Sequence, residues 1–220
     1  MKPMKTMFLL QIALLFACSP NSTDLSPDNS AQEALNSESP QDLSGLSTAY
    51  FASGCFWCVE EVFESVKGVK EAVSGYAGGT EKNPTYQQVG NGSTGHAEAV
   101  EVFYDPKVVN YATLLKVFFN SQDPTTKNRQ GPDAGAQYRS IAFYQTTEEK
   151  ALIETMIKEL DASGKYTSPI VTQVTSFEKF WPAEDYHQNY VRQHPDEGYV
   201  RGVSIPRFER FKKEMPEVLK

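Results

Sequence analysis

The junction between a strand and a helix near residue 54 constrains the fold most strongly. Residues 48 to 52 are a short apolar run, which predicts a strand, and Ser53 and Gly54 are both accepted at helix starts. Apolar residues then recur with the spacing of one helical face, at Val59, Val62, Phe63 and Val66. This junction reads GCFWCVE and places Cys55 and Cys58 at the start of the predicted helix.

The rest of the chain mixes strand and helix patterns. We predict strands at about 69 to 76, 97 to 104, 137 to 145 and 170 to 177, and polar loops through residue 95 and over 123 to 135. We predict helices at about 110 to 120, after a Thr146 and Glu149 capping box, and near 183 to 191. This order favours an α+β fold of the ferredoxin-like, split βαβ type: a two-layer sandwich with extra helices and long loops.

The first residues differ from the rest of the chain. Lys2 and Lys5 precede an apolar run too short to span a bilayer, so we predict a signal peptide over 1–17. Residues 18–47 are rich in Ser, Asn, Asp, Gln and Pro, which predicts a flexible tether before a catalytic domain over 48–220. The run that ends at Cys18 resembles a bacterial lipoprotein signal, which implies lipidation of Cys18 and an exported protein on the periplasmic side of the cell envelope. Ordinary signal cleavage beside a stray cysteine is the alternative.

The charge of the chain and its number of possible metal ligands argue against two classes of function. The net charge is −7, with 28 acidic and 21 basic residues interspersed, which argues against a nucleic-acid partner. A zinc site needs about four ligands, and the chain has no second cysteine pair and only three histidines. We therefore expect no metal and no cofactor.

Redox chemistry explains the cysteine pair best. A disulfide between residues three apart closes too small a loop to constrain the unfolded chain much. The helix start is expected to lower the pKa of Cys55. A thioredoxin-like exchanger remains open, although Phe56 and Trp57 between the cysteines favour an apolar pocket for a small-molecule or side-chain substrate.

Glu98 is a candidate general acid. It shares its strand parity with Val100, Val102 and Tyr104, so its carboxyl is expected to point inward. Burial raises the pKa of a carboxyl group and keeps it protonated near neutrality. A strand-end residue that reaches water or bonds to loop backbone is the open alternative.

Several motifs agree in order with one family. They are GCFWCVE, GYAGG (75–79), NPTYQQV (83–89), GHAEAVEVFYDP (95–106) and DAGAQYRS (133–140). From about residue 50 to 207 the chain resembles the peptide methionine sulfoxide reductase A (MsrA) family, whose members reverse the oxidation of one methionine sulfoxide epimer, the S form. The resemblance implies a peptide-methionine (S)-S-oxide reductase that repairs oxidised methionine, free or in proteins and peptides.

The resemblance assigns roles to matching residues. Cys55 is implied as the nucleophile and Glu98 as the proton donor. Tyr86 and Tyr138 are implied to hydrogen-bond the sulfoxide oxygen, since phenols donate without adding charge.

Three more positions follow from the same motifs. Phe56 and Trp57 are implied to hold the substrate methyl group, although both residues could equally be core residues at a helix start. Asp133 is expected to organise Tyr138 and its loop, or to be an ordinary turn residue. We interpret His96 and His187 as structural hydrogen-bonding residues.

Cys58 departs from the commoner family pattern, in which Gly occupies this position and later cysteines resolve the intermediate. No cysteine follows residue 58, and Cys18 is remote. Cys58 lies one helical turn from Cys55, about 5 to 6 Å away, which predicts that it resolves a sulfenic acid on Cys55 as an intramolecular disulfide. We expect a monomer that is recycled by a thioredoxin-like reductant. A dithiol exchanger and a non-catalytic lipoprotein binding module are the alternatives.

Overall fold

The computed structural model describes residues 43–220. The predicted signal peptide over 1–17, the lipidation of Cys18 and most of the predicted tether lie outside the described residues. The first strand begins at Ser47, one residue before the predicted start of the catalytic domain.

Within these residues strands and helices are mixed along the chain. In chain order they are β1 (Ser47–Ser53), α1 (Phe56–Glu64), β2 (Val69–Ala77), α2 (Tyr86–Gly90), β3 (Ala97–Tyr104), α3 (Tyr111–Asn120), β4 (Arg129–Gln130), β5 (Asp133–Ala134), β6 (Ser140–Tyr144), α4 (Thr147–Ala162), β7 (Gln173–Ser176), β8 (Phe180–Pro182), α5 (Tyr190–Gln193) and α6 (Ile205–Glu214). Short 3-10 turns occupy Ala136–Tyr138, Asp185–His187 and Pro216–Val218, and a π-helical turn spans Val200–Ser204. In this part of the chain, no helix is long and apolar enough to cross a membrane.

A six-stranded mixed sheet organises the described residues. Its strand order is β7-β6-β1-β3-β2-β8, and β4 and β5 form a separate hairpin. The β6 and β7 pair is parallel, whereas every other pair in the sheet is antiparallel. The predicted α+β class is confirmed.

The larger core lies between one face of the sheet and the helices. Phe51 of β1 stacks between Phe63 of α1 and Phe118 of α3, with ring centroids 5.1 Å away in both cases. Phe211 of α6 is fully buried in the same cluster. A second, smaller cluster of buried hydrophobic side chains also comes from the strands of the sheet and includes Tyr50 and Phe180. Burial of large aromatic side chains is a main stabilising contribution, because each removes 150 to 250 Å² or so from water.

Several predicted boundaries were wrong. The first predicted loop contains α2, which Thr85 opens with a capping box, and the second contains the β4 and β5 hairpin. The strand predicted from 137 begins at Ser140, because residues 136–138 form a 3-10 turn. The helix predicted near 183–191 is divided between a 3-10 turn and α5, and β8 and α6 were not predicted.

Gly54 makes the sharp junction between β1 and α1 possible. Its φ is +83°, a region that side-chain-bearing residues rarely adopt, and a Cβ here would lie 2.5 Å from Gln130 Cβ. The chain therefore turns tightly and delivers Cys55 to the N-cap position of α1.

Candidate active site

The two cysteines occupy the first turn of α1. Cys55 is the N-cap residue, and Cys58 lies within the helix. Both thiols are free and buried, with 6% and 2% of their surface exposed, and they are hydrogen-bonded to one another. The predicted placement of the pair at a helix start is confirmed, and the contact between the thiols allows a disulfide after small adjustment.

The prediction that the helix start lowers the pKa of Cys55 was wrong. Burial, the bond with Cys58 and the charge of Glu98 together raise the pKa of the Cys55 thiol well above its ordinary value. The first amide of α1 is also unavailable to the sulfur, since the Phe56 N–H donates to Glu98 Oε2 at 3.0 Å.

Cys58 has the opposite electrostatic environment. Its pKa is lowered, first by the hydrogen bond from the Cys55 thiol and then by the positive charge of Arg207 and the bond to Ser204. The Sγ atom lies 3.1 Å from Ser204 Oγ. Of the two thiols, Cys58 is therefore the one whose surroundings favour a thiolate.

Glu98 points inward, as the strand parity predicted. Its side chain is 2% exposed and lies in β3 opposite Tyr76 of β2. Burial raises the pKa of Glu98 to about 8, against the opposing bond from the Phe56 amide. The carboxyl group is therefore protonated at neutral pH and can donate a proton.

Tyr86 and Tyr138 provide two further donors. Tyr86 begins α2, and Tyr138 ends the 3-10 turn before β6. Among residues 43–220 neither hydroxyl is paired with another side chain or with backbone. Burial and the nearby Glu98 charge raise the pKa of Tyr86 to about 12 and raise the pKa of Tyr138 as well. Both phenols stay protonated and available to donate.

One cavity of about 310 Å³ brings most of the predicted site together. Seven of the eight predicted site residues line it, namely Cys55, Phe56, Trp57, Tyr86, Glu98, Asp133 and Tyr138. Cys58 is the exception and lines a different cavity. The volume suits a small ligand or a single side chain.

Aromatic rings form much of the cavity wall. Phe56 is 1% exposed and packs against Tyr86, with ring centroids 6.2 Å apart, so it is a core residue as well as a wall of the cavity. Trp57 stacks on Tyr190, with ring centroids 3.8 Å apart, and its Nε1–H donates to His187 Nδ1 at 3.1 Å. The stacking and the hydrogen bond fix the indole ring at the edge of the cavity.

Asp133 lies in the same cavity as Tyr138 and hydrogen-bonds a tyrosine that the motifs did not indicate. We expected Asp133 to organise Tyr138 and its loop; its Oδ2 accepts a hydrogen bond from the Tyr199 hydroxyl at 2.5 Å. Tyr199 is also hydrogen-bonded to Cys55 and stands edge-on to Trp57. Asp133 therefore positions a tyrosine that contacts the sulfur, because β5 turns its carboxyl toward the segment after α5.

Several further site residues lie in the C-terminal segment, where no sequence motif indicated them. Tyr190, Glu197 and Tyr199 line the cavity, while Ser204 and Arg207 surround Cys58. None lies in a motif with a recognisable spacing, so only the fold brings them to the site. The two histidines that we interpreted as structural do form hydrogen bonds. His187 accepts one from Trp57, and His96 Nδ1 accepts one from the Gly79 amide at 3.2 Å.

The arrangement is suited to a two-electron reduction of a small polar group. It combines the Cys55 thiol, a protonated carboxyl group and two phenol donors around an aromatic cavity, with the Cys58 thiol hydrogen-bonded to Cys55 behind it. In the described part of the chain, no group of three or more His, Cys, Asp or Glu side chains is placed to hold a metal ion. The fold and site together define a thiol-dependent oxidoreductase.

Comparison with known proteins gives the family. The family model described as peptide methionine sulfoxide reductase matches residues 47–218. The chain is 45% identical over 178 residues to peptide methionine sulfoxide reductase MsrA of Polynucleobacter asymbioticus, covering 81% of this chain and 94% of that one. It is 48% identical over 169 residues to the MsrA of Methanosarcina mazei, covering 77% of each chain.

Solved structures agree with these relatives. Methionine sulfoxide reductase A of Corynebacterium diphtheriae superposes with a TM-score of 0.63 at 34% identity, over 69% of this chain and 76% of that one. Reduced Mxr1 from Saccharomyces cerevisiae gives a TM-score of 0.65 at 33% identity, over 69% and 87% of the two chains. The chain therefore belongs to the peptide methionine sulfoxide reductase family and is an oxidoreductase.

Proposed function

We propose that this protein reduces methionine S-sulfoxide, free or in proteins and peptides, back to methionine. One observation carries the proposal: Cys55, Glu98, Tyr86 and Tyr138 converge on a single cavity. A sulfoxide presents a polar oxygen, an electrophilic sulfur and a methyl group. The cavity offers proton donors for the first, a thiol for the second and the Phe56 and Trp57 rings for the third.

The first step is attack of Cys55 Sγ on the sulfoxide sulfur. The Cys55 proton passes to Cys58, with which it is hydrogen-bonded. Tyr86 and Tyr138 donate to the sulfoxide oxygen while Glu98 gives it a proton, so the S–O bond is weakened as the new S–S interaction forms. The bond between the oxygen and the methionine sulfur then breaks, the oxygen bonds to the Cys55 sulfur as a sulfenic acid, the S–S interaction breaks, and methionine leaves.

The second step uses the cysteine that makes the GCFWC motif unusual. The Cys58 sulfur attacks the Cys55 sulfenic acid, the S–O bond breaks and water leaves, which produces a Cys55–Cys58 disulfide. The contact between the two thiols supports this role for Cys58. A dithiol reductant of the thioredoxin type then restores both thiols by two successive exchanges.

The cellular setting belongs to the same proposal. The signal-like residues 1–17 and Cys18 favour an exported lipoprotein whose tether presents a monomeric catalytic domain on the periplasmic side of the envelope. There it would repair oxidised methionines in secreted and envelope proteins. Extraction with membranes and the mass of a lipid on Cys18 are the measurements that test this setting.

The split βαβ description of the fold is also an inference. The four strands β6, β1, β3 and β2 are adjacent in that order and antiparallel, and α1 and α3 connect β1 to β2 and β3 to β6. This order supports a ferredoxin-like centre, to which β7 and β8 add one strand at each edge.

Separated epimers of a peptide methionine sulfoxide test the function. With dithiothreitol as reductant, we expect turnover of the S epimer, no turnover of the R epimer and none with Cys55→Ser. Reduction of an insulin disulfide without any reaction at either sulfoxide would instead support a dithiol exchanger.

A further inference from the structure

A second cavity reaches Cys58 but not Cys55. It encloses about 410 Å³, and Cys58, Asp133, Gly202 and Arg207 are among its lining residues. Asp133 is the one residue that it shares with the cavity lined by Cys55. We call it the Cys58 cavity and the first one the sulfoxide cavity. Each sulfur of the pair thus faces its own space.

The Cys58 cavity favours an anion. Arg207 and Arg210 both line it, and Asp133 is the acidic residue among its walls. Arg207 is buried, with Nε donating to the Ser121 carbonyl at 2.7 Å and one terminal nitrogen donating to Ser53 Oγ at 3.2 Å, so its charge is held in place. Arg210 is exposed. Two cations against one carboxylate leave a positive potential beside Cys58.

We propose that the Cys58 cavity admits the thiolate of the reductant, while the sulfoxide cavity admits the substrate. This inference rests on the proposed function, since it concerns the disulfide that the proposed function forms. Substrate and reductant then reach opposite ends of the same S–S bond, and a bound substrate does not obstruct recycling.

The exchange balances in two steps. The reductant thiolate attacks Cys58 Sγ, the Cys55–Cys58 bond breaks, and Cys55 leaves with the electron pair and takes up a proton. The reductant's second thiol then attacks its own sulfur in the mixed disulfide, and Cys58 leaves as a thiolate. The reductant ends as a disulfide, and the two electrons and the protons of its dithiol end on the cysteine pair.

The surroundings of Cys58 suit it to be the last group to leave. The Ser204 hydroxyl, 3.1 Å away, can donate to the departing thiolate, and Arg207 offsets its charge. A stabilised thiolate leaves faster, so the mixed disulfide resolves forward.

Gly202→Trp tests the entry route. An ideal Cβ at Gly202 meets nothing within 4 Å, so a large side chain can project into open space at the wall of the Cys58 cavity. The Cys55–Cys58 disulfide would be formed with diamide in the full chain, and its reduction by dithiothreitol followed by thiol counting. We expect Gly202→Trp to slow reduction by about tenfold or more, whereas Gly202→Ala reduces at the wild-type rate.

The same variants would be tested for methionine release in one turnover without reductant. We expect Gly202→Trp to release methionine at the wild-type rate. Unchanged reduction in Gly202→Trp, or an equal loss in both measurements, would overturn the proposal. Wild-type protein that releases no methionine while Gly202→Trp still slows reduction would refute the proposed function alone, because diamide forms the disulfide independently.

A charge comparison provides a second test. Two monothiols, anionic 2-mercaptoethanesulfonate and cationic cysteamine, would attack the same diamide-formed disulfide. We expect the ratio of their rates to fall severalfold in Arg210→Gln, with Arg192→Gln, an exposed arginine elsewhere, as the matched control. A ratio that Arg210→Gln leaves unchanged would contradict entry beside the arginines.

Discussion

Cys55 and Cys58 lie one helical turn apart, yet their surroundings differ in almost every respect. Cys55 faces aromatic rings, phenol hydroxyls and a protonated carboxyl group, whereas Cys58 faces Ser204 and a buried arginine. The first environment suits a neutral sulfoxide and the second suits a thiolate. The difference indicates that one turn of α1 separates the two halves of the reaction, so each half can be disrupted by itself.

Cys58→Ser should have the largest effect on this comparison. It removes the resolving thiol, which also accepts the Cys55 proton, but keeps the residues that line the sulfoxide cavity. One methionine per chain should therefore still be released, at a lower rate, while turnover with a dithiol reductant stops. Dimedone should label the accumulated Cys55 sulfenic acid by mass spectrometry. Undiminished multiple turnover would refute a resolving role for Cys58.

Glu98→Gln should be the next most damaging change. Loss of a general acid is expected to slow methionine release in a single turnover by about 10²- to 10⁴-fold. Glu60→Gln is the matched control. Glu60, on α1, is also a buried carboxyl group with a raised pKa, of about 7, but it does not line the sulfoxide cavity. A rate near wild type for Glu98→Gln would contradict its role.

The raised pKa of Glu98 also predicts how the reaction rate and the stability depend on pH. Because this pKa is about 8, the acid form is lost and single-turnover rates should fall as pH rises through 8. The native state keeps a proton between about 4.5 and about 8 that the unfolded chain has released, so this group makes the free energy of unfolding fall as pH rises across that window. Glu98→Gln should therefore raise the melting temperature at pH 8 while it lowers activity.

Tyr138→Phe should have an intermediate effect. It removes one donor to the sulfoxide oxygen and leaves Tyr86, Glu98 and the ring packing in place. A hydrogen bond to a developing charge contributes about 1.5 to 3 kcal/mol, which corresponds to a rate loss of about tenfold to a hundredfold. Tyr166→Phe, away from both cavities, is the control for loss of a phenol. Equal rates for the two variants would show that the Tyr138 hydroxyl does not take part in the reaction.

Ser204→Ala should have the smallest effect, on Cys58 alone. It removes the hydroxyl 3.1 Å from Cys58 Sγ, so the pKa of Cys58 should rise by about one unit or less. Thiolate absorbance measured against pH would detect this shift, and single-turnover methionine release should stay within about twofold of wild type. A shift as large with Ser74→Ala would show that the effect is not local.

The fold was predictable where the side-chain pattern is strong. The parity of Val100, Val102 and Tyr104 defined β3 and the inward direction of Glu98, and Thr146 with Glu149 located the start of α4. Short elements such as α2 and β8 were missed, because five residues or fewer carry too little periodicity to stand out from a polar loop.

The site was predictable only as far as its motifs extend. Seven of the predicted residues meet in one cavity, since their motifs lie on elements that converge beside α1. Tyr199 and Arg207 come from a segment after α5 whose position depends on tertiary packing. The pKa of Cys55 was mispredicted for the same reason: local helix geometry favours a thiolate, but burial and a neighbouring carboxyl group reverse the effect.

A single turnover without reductant tests the central claim most directly. Fully reduced protein would be mixed with separated epimers of a dabsyl-methionine sulfoxide, and the methionine released and the thiols lost per chain would be counted. We predict about one methionine, from the S epimer only, with loss of both Cys55 and Cys58 thiols. No methionine from either epimer would contradict the assignment and favour a dithiol exchanger.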